Sequence, residues 1–170
     1  SNRFSGQGMP RDEVIKAYTK WLWLPDPTVI DFMFGVIIAN RFQGDMIWGF
    51  IVGPSGCGKS ELLMSIVDAP GIYTTTSMSP RSLISGAPGI GGADPSLIPR
   101  LNGMVLNLKD FTAVLGMNQN DRDQVFSVFR DAYDGSCGWD FGNGIIRQYN
   151  SRFGIISGVT PAIEMFTEDQ

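Results

Sequence analysis

Eight consecutive residues, Gly53-Pro54-Ser55-Gly56-Cys57-Gly58-Lys59-Ser60, restrict the fold more than any other stretch of the chain. They satisfy every fixed position of the pattern G-x-x-x-x-G-K-S/T, which requires a strand in front of it and a helix behind it. Both flanks comply. Met46 to Val52 reads as a buried strand and Glu61 to Val67 as a helix. Glycines 53, 56 and 58 allow a tight turn whose N–H groups point inward. The helix N-terminus that follows adds orphan donors, so phosphate oxygens are the favoured occupants. Lys59 would neutralise the β- and γ-phosphates and Ser60 would place its hydroxyl on Mg²⁺. The competing reading is a glycine-rich strand-to-helix turn that binds nothing, and the coincidence of four fixed positions with both flanks argues against it.

The rest of the composition narrows what such a site can belong to. The chain has 170 residues, 43% hydrophobic and 18% charged, enough for one domain with a substantial core. Residues 1–10 are small and polar and read as a loose, trimmed terminus, leaving residues 11–170 as the domain. The polar end Thr167-Glu168-Asp169-Gln170, soon after an apolar run, suggests a longer parent protein. No apolar run reaches membrane-spanning length and no signal peptide is visible, which predicts a cytoplasmic protein. A net charge of −4 and a pI near 4.7 are not the footprint of a chain that grips nucleic acid unaided. Cys57 and Cys137 are expected as free thiols. There is no histidine, so imidazole catalysis and His-ligated metals are excluded.

Periodicity supplies the remaining elements. Arg11 to Trp23 has the spacing of an amphipathic helix, and a second helix, opened by Asp26 or Pro27 and nearly apolar all round through Ile38, is expected against a sheet. Gly71 to Thr75, Met104 to Leu108 and Phe153 to Val159 read as strands, the last two deeply buried. Pro80 to Ser85 is a short helix candidate. Gly86 to Pro95 is too rich in Gly and Pro for regular structure and is either a functional element or a mobile insertion. Asp121 to Tyr133 is predicted as a helix with Asp121 as its N-cap. Gly135, Gly138, Gly142 and Gly144 imply turns, with a hairpin before or after Ile145-Ile146. Alternating strands and helices predict a three-layer α/β domain with a mainly parallel sheet.

Hydrolysis needs a carboxylate opposite the phosphate loop, at the C-terminal end of a neighbouring parallel strand. Asp110, directly after the Met104 to Leu108 run, has that place. It would either hold the Mg²⁺ hydration shell or polarise the attacking water. The usual end to such a strand is Asp-Glu, and here it is Lys109-Asp110, which weakens the expectation of fast turnover. An ordinary loop or N-capping carboxylate is the alternative. Thr160, after the Phe153 to Val159 run, is a candidate to orient water or touch the γ-phosphate, and otherwise only ends a strand. Arg130, Arg147 and Arg152 are candidate transition-state arginines.

With these motifs the chain resembles the AAA-like P-loop ATPases of bacteriophages and mobile elements. The matching segments are Leu24-Pro25-Asp26-Pro27, Gly53 to Leu63, Leu106-Asn107-Leu108-Lys109-Asp110-Phe111-Thr112, Tyr133-Asp134-Gly135 and Gly158-Val159-Thr160-Pro161-Ala162-Ile163. The resemblance implies an ATP-dependent fold of the additional-strand class without the C-terminal helical lid. It assigns Lys59 and Ser60 to phosphates and Mg²⁺, Asp110 as the second-strand acid and Thr160 as the polar sensor. It also implies a homo-oligomer and a role in DNA metabolism through other parts of the parent protein, in a bacterial host cell if the chain is phage-encoded. Leu24 to Val29 would then lie near the adenine.

The leading expectation is therefore Mg²⁺-dependent ATP binding and hydrolysis by a motor or remodelling module. A nucleotide-gated binding module with little turnover and a P-loop kinase are the alternatives. A GTPase is disfavoured because no Asn-Lys-x-Asp segment occurs.

Overall fold

The computed structural model describes residues 8–161, so the expected lack of a C-terminal helical lid and the end of the Gly158 to Ile163 segment lie outside the described residues. Four parallel strands make the central sheet: β1 (Trp48–Val52), β2 (Ile72–Thr75), β3 (Val105–Leu108) and β6 (Gly154–Val159), in the order β1-β6-β3-β2. β6 therefore stands between the phosphate-loop strand and the strand that carries Asp110. This is the additional-strand arrangement, and it makes the last strand of the described residues one of the two interior strands of the sheet. All six β6 residues are buried, with Ile155 and Val159 facing one core and Ile156 the other. Burying a side chain of that size contributes roughly 1.5–3 kcal/mol, which explains the near-continuous apolar run.

The layer on one face holds α1 (Arg11–Thr19), α2 (Thr28–Ala39) and α3 (Lys59–Met64). α2 packs on β1 and β6 through Ile30, Met33, Val36 and Ile37. The helix lies against the sheet as expected, while Phe32 and Ile38 on its other side are 44% and 51% exposed. One helix face suffices to cover a sheet edge. The Asp26 carboxylate accepts from Thr28 N and Pro27 caps the helix, so both residues take part in opening it. α1 ends at Thr19, short of the expected Trp23, because Thr19 returns its hydroxyl to the Ile15 carbonyl and the chain turns.

The opposite layer contains α4 (Pro80–Leu83), α5 (Ile98–Leu101), α6 (Thr112–Leu115) and α7 (Gln119–Tyr133). α7 starts earlier than Asp121. Asn118 is the N-cap, its Oδ1 accepting from Asp121 N at 3.0 Å while its Nδ2 donates to the Asp121 carboxylate at 2.8 Å. Asp121 is thus the third helical residue, and the reciprocal pair closes the helix end.

A two-stranded antiparallel hairpin, β4 (Cys137–Asp140) and β5 (Ile146–Tyr149), stands apart from the main sheet, with its turn before Ile146. It holds the Gly86 to Pro95 segment in place, so that segment is a fastened loop with one short 3₁₀ turn at Ile90–Gly92. Tyr149 donates to Asp94 Oδ2 at 2.5 Å and touches Ser96 Oγ at 2.9 Å. Arg147 pairs with Asp94 at 3.3 Å and donates to the carbonyls of Ser85 and Ala87, and Asn143 donates to the Gly86 carbonyl.

The clamp predicts a pH window. Burial acts to raise the pKa of Asp94, but hydrogen bonds from Tyr149 and Ser96 and the Arg147 charge outweigh it and hold the carboxyl below its ordinary 3.8. Burial, reinforced by the bond to Asp94, pushes Tyr149 up to about 12. The Asp94 contribution is therefore present above pH 3.8 and lost as the pH falls through its lower folded value, whereas the Tyr149 contribution is lost as the pH rises from 10 toward about 12. Tyr149→Phe should cost about 1–2 kcal/mol in urea unfolding near pH 7, and the difference should shrink in acid as Asp94 is protonated. An undiminished difference in acid would refute the clamp.

Candidate phosphate site at the strand ends

The register sets Val52 beside Val159 and Leu108 beside Ser157, so the residues following β1, β6 and β3 emerge at one edge of the sheet. Two further backbone bonds carry the pairing into the loops, from Gly53 N to Val159 O at 3.1 Å and from Phe111 N to Gly158 O at 2.8 Å. This edge is the place where ligands collect in parallel sheets.

The Gly53–Ser60 loop turns through two left-handed positions, Gly56 at φ 79° and Gly58 at φ 89°, which a side-chain-bearing residue rarely adopts. α3 starts at Lys59, two residues before the expected Glu61, because Gly58 caps it directly and its carbonyl accepts from Leu62 N. The Lys59 ammonium donates to the Gly53 carbonyl at 2.6 Å and the Pro54 carbonyl at 2.7 Å, and it lies 3.7 Å from Cys57 Sγ. The cation is thus folded back on its own loop, with acceptors that phosphate oxygens can replace.

Gly158 controls how closely the pieces approach. A Cβ there would lie 3.2 Å from the Lys109 carbonyl, 3.4 Å from Lys59 Cβ and 3.5 Å from Leu63 Cδ1. A residue with a side chain would crowd the Lys109 carbonyl and push it back by a few tenths of an ångström, so glycine lets α3 and the ends of β3 and β6 close up fully. Asn107, fully buried on β3, reinforces the contact by donating from Nδ2 to the Leu63 carbonyl at 2.8 Å and to Thr74 Oγ1 at 3.2 Å.

A cleft of about 380 Å³ opens over this junction. Ser55, Gly56, Gly58, Lys59, Ser60 and Glu61 form one wall and Lys109, Asp110 and Thr160 the other. The sequence-predicted Lys59, Ser60, Asp110 and Thr160 therefore come together, while Gly53, Pro54 and Cys57 sit behind Lys59 and do not line the cleft. Asp110 is exposed and accepts from Thr112 N at 2.9 Å through Oδ1, so it closes a turn just before α6, whose N-cap is Phe111, and lines the cleft at once. The two readings of Asp110 are not exclusive. Thr160 is half-buried, with its N–H donating to Thr112 Oγ1 at 3.2 Å and its hydroxyl 3.4 Å from the same atom.

Three participants escaped sequence reasoning. Lys109 was noticed only as a missing acid, yet it adds a second cation to the cleft. Glu61 was read only as helix, and Thr112 only as part of a matching segment, although the Asp-x-Thr spacing is an Asx-turn signal. None of Arg130, Arg147 and Arg152 lines the cleft, and Arg147 is committed to Asp94 and the loop carbonyls.

Next to the phosphate cleft lies another of about 430 Å³, sharing Glu61 and lined by Ala17, Tyr18, Trp21, Leu22 and Ser65. Tyr18 OH bonds Ser65 Oγ at 2.7 Å, fixing α1 against α3, and Trp21 is 79% exposed. Asp26, Thr28 and Val29 instead line a separate cleft with Phe32, Phe50, Ile51 and Val52.

Chemically, the cleft offers the ammonium groups of Lys59 and Lys109, the hydroxyls of Ser55, Ser60 and Thr160, and two carboxylates, Glu61 on α3 and Asp110 at the opposite loop end. Among the described residues no cluster of three or more His, Cys, Asp or Glu exists. Such a donor set suits a small hard cation that shares its coordination with phosphate oxygens and water, as Mg²⁺ does, and not an all-protein cage. Among the described residues no helix is long and apolar enough to cross a membrane.

No protein-family profile and no curated protein matches the chain. Among solved structures it is similar to two of NtrX from Brucella abortus. The first matches at 17% identity and a TM-score of 0.54, covering 94% of this chain and 36% of that one. The second, NtrX in complex with ADP, matches at 15% identity and a TM-score of 0.51, covering 93% and 35%. The chain thus spans about a third of the length of the structures it matches. Identity at this level speaks for the fold. Together with the strand order and the loop, it gives the chain a P-loop NTPase-like fold, mixed α/β around a parallel four-stranded sheet.

Proposed function

We propose that residues 11–170 form an ATPase domain that binds ATP with Mg²⁺ in the cleft between the Gly53–Ser60 loop and the ends of β3 and β6, and hydrolyses it. The observation that carries this reading is the convergence of Lys59, Ser60, Asp110 and Thr160 on one cleft. Lys59 exchanges its two loop carbonyls for β- and γ-phosphate oxygens. Ser60 and Asp110 would hold Mg²⁺, which supplies charge neutralisation on the phosphates when bound. Asp110 orients the attacking water directly or through that shell, and Thr160 approaches the γ-phosphate. Lys109 adds positive charge where an acid is more usual. That substitution favours a second reading, a nucleotide-gated binding module with slow turnover. The ADP complex of the similar NtrX supports a nucleotide as the ligand.

The base belongs in the adjoining cleft, which shares Glu61 with the phosphate site and presents the exposed Trp21 ring. The Lys109 to Thr112 and Gly158 to Pro161 segments support a phage-type motor or remodelling module. With a net charge of −4, any work on DNA would run through other regions of a longer protein or through assembly of several copies.

Lys59→Ala should weaken Mg-ATP binding at least about tenfold and abolish turnover. Unchanged affinity and rate, measured by calorimetry and phosphate release, would exclude the proposal. Trp21→Ala should weaken ATP about tenfold through lost stacking while leaving inorganic triphosphate binding unaltered. An equal loss for both ligands would move the base elsewhere.

A further inference from the structure

We infer that Thr112 is a positioning residue that fixes the Thr160 hydroxyl as a hydrogen-bond donor toward the γ-phosphate, an inference that rests on the nucleotide reading above. Three contacts carry it. Thr112 N donates to Asp110 Oδ1 at 2.9 Å, Thr160 N donates to Thr112 Oγ1 at 3.2 Å, and the two threonine hydroxyl oxygens stand 3.4 Å apart. Thr112 itself does not line the cleft, whereas the residues on either side of it in this chain of contacts, Asp110 and Thr160, both do.

A threonine hydroxyl has one proton and two acceptor sites. Thr112 Oγ1 accepts from the Thr160 amide and keeps its own proton free to give to Thr160 Oγ1, the direction the inference assigns to the 3.4 Å hydroxyl pair. Thr160 then keeps its own proton for the cleft and has one acceptor site filled. A hydroxyl presented in this way donates to a phosphate oxygen better than it accepts from a water. It therefore senses the γ-phosphate, which ATP has and ADP lacks. The amide bond from Thr112 to Asp110 binds the acid to the same turn, so the carboxylate and the sensor keep a fixed spacing.

The substitution Thr112→Val tests this, because valine matches threonine in shape and keeps the N–H that holds Asp110 while losing the hydroxyl. The readout is the affinity ratio between a non-hydrolysable ATP analogue and ADP, each measured with Mg²⁺ on the full chain. The wild type should favour the analogue, T112V should lower the ratio about tenfold, and Thr112→Ser should restore it to within about twofold. The double variant T112V/T160V should discriminate no less than Thr160→Val alone, since both remove one interaction. ADP affinity and the Mg²⁺ requirement should stay at wild-type values in T112V. A preserved ratio in T112V, additive losses in the double variant, or parallel loss of ADP binding each overturns the inference while leaving the nucleotide reading intact. A wild-type chain that binds neither ligand overturns both.

Discussion

The close approach of three strand ends at Gly158 is the constraint on which the rest of the site depends. Because β6 lies between β1 and β3, the phosphate loop and the acid belong to strands that do not touch, and their spacing is set through the strand between them. Gly158 leaves room for Lys59 and Leu63 on one side and the Lys109 carbonyl on the other. Backbone bonds at Gly53 and Phe111 then fix the loops on both neighbours to β6. A larger side chain there would have to displace backbone, which a packed interior does not easily allow.

Polar groups complete what packing begins. Asn107 ties α3 to β3 from inside the core, and its Oδ1 is buried without a hydrogen-bond partner among the described residues. Leaving a buried acceptor unpaired costs on the order of 1–3 kcal/mol, so the amide is retained against a stability penalty. Ser157, also fully buried, donates to the Leu108 carbonyl immediately before Lys109-Asp110. These two side chains and Thr112 form a polar seam along the junction of α3, β3 and β6. The seam lies at the edge of the sheet where the cleft opens, whereas the buried polar group at α2, its C-cap Asn40, bonds the Ile47 backbone at the opposite end of β1.

Much of this was legible in the sequence because each signal was local. The loop has fixed spacing, the buried strands are largely apolar runs, and Asp110 is the first acid after one of them and Thr160 the first polar residue after another. Element ends were less legible. Asn118 and Asp121 are both good caps for α7, and only the backbone shows that Asn118 is the one that leaves the helix. The ends of α1 and α3 depend on a threonine back-bond and a left-handed glycine, which periodicity does not register. The partners of Arg147 and Thr112 lie 53 and 48 residues away in sequence, so no window of the chain contains them. For Arg147 the sequence gives the charge but not Asp94, the carboxylate that pairs with it.

The central claim is that the phosphate loop and the ends of β3 and β6 act as one ATP site. Amide hydrogen exchange with and without Mg-ATP measures it most directly. The account predicts added protection in three separate segments at once, residues 53–61, 109–112 and 158–160, and little change in the β4–β5 hairpin. Protection confined to the loop, or none in any of the three, would contradict it.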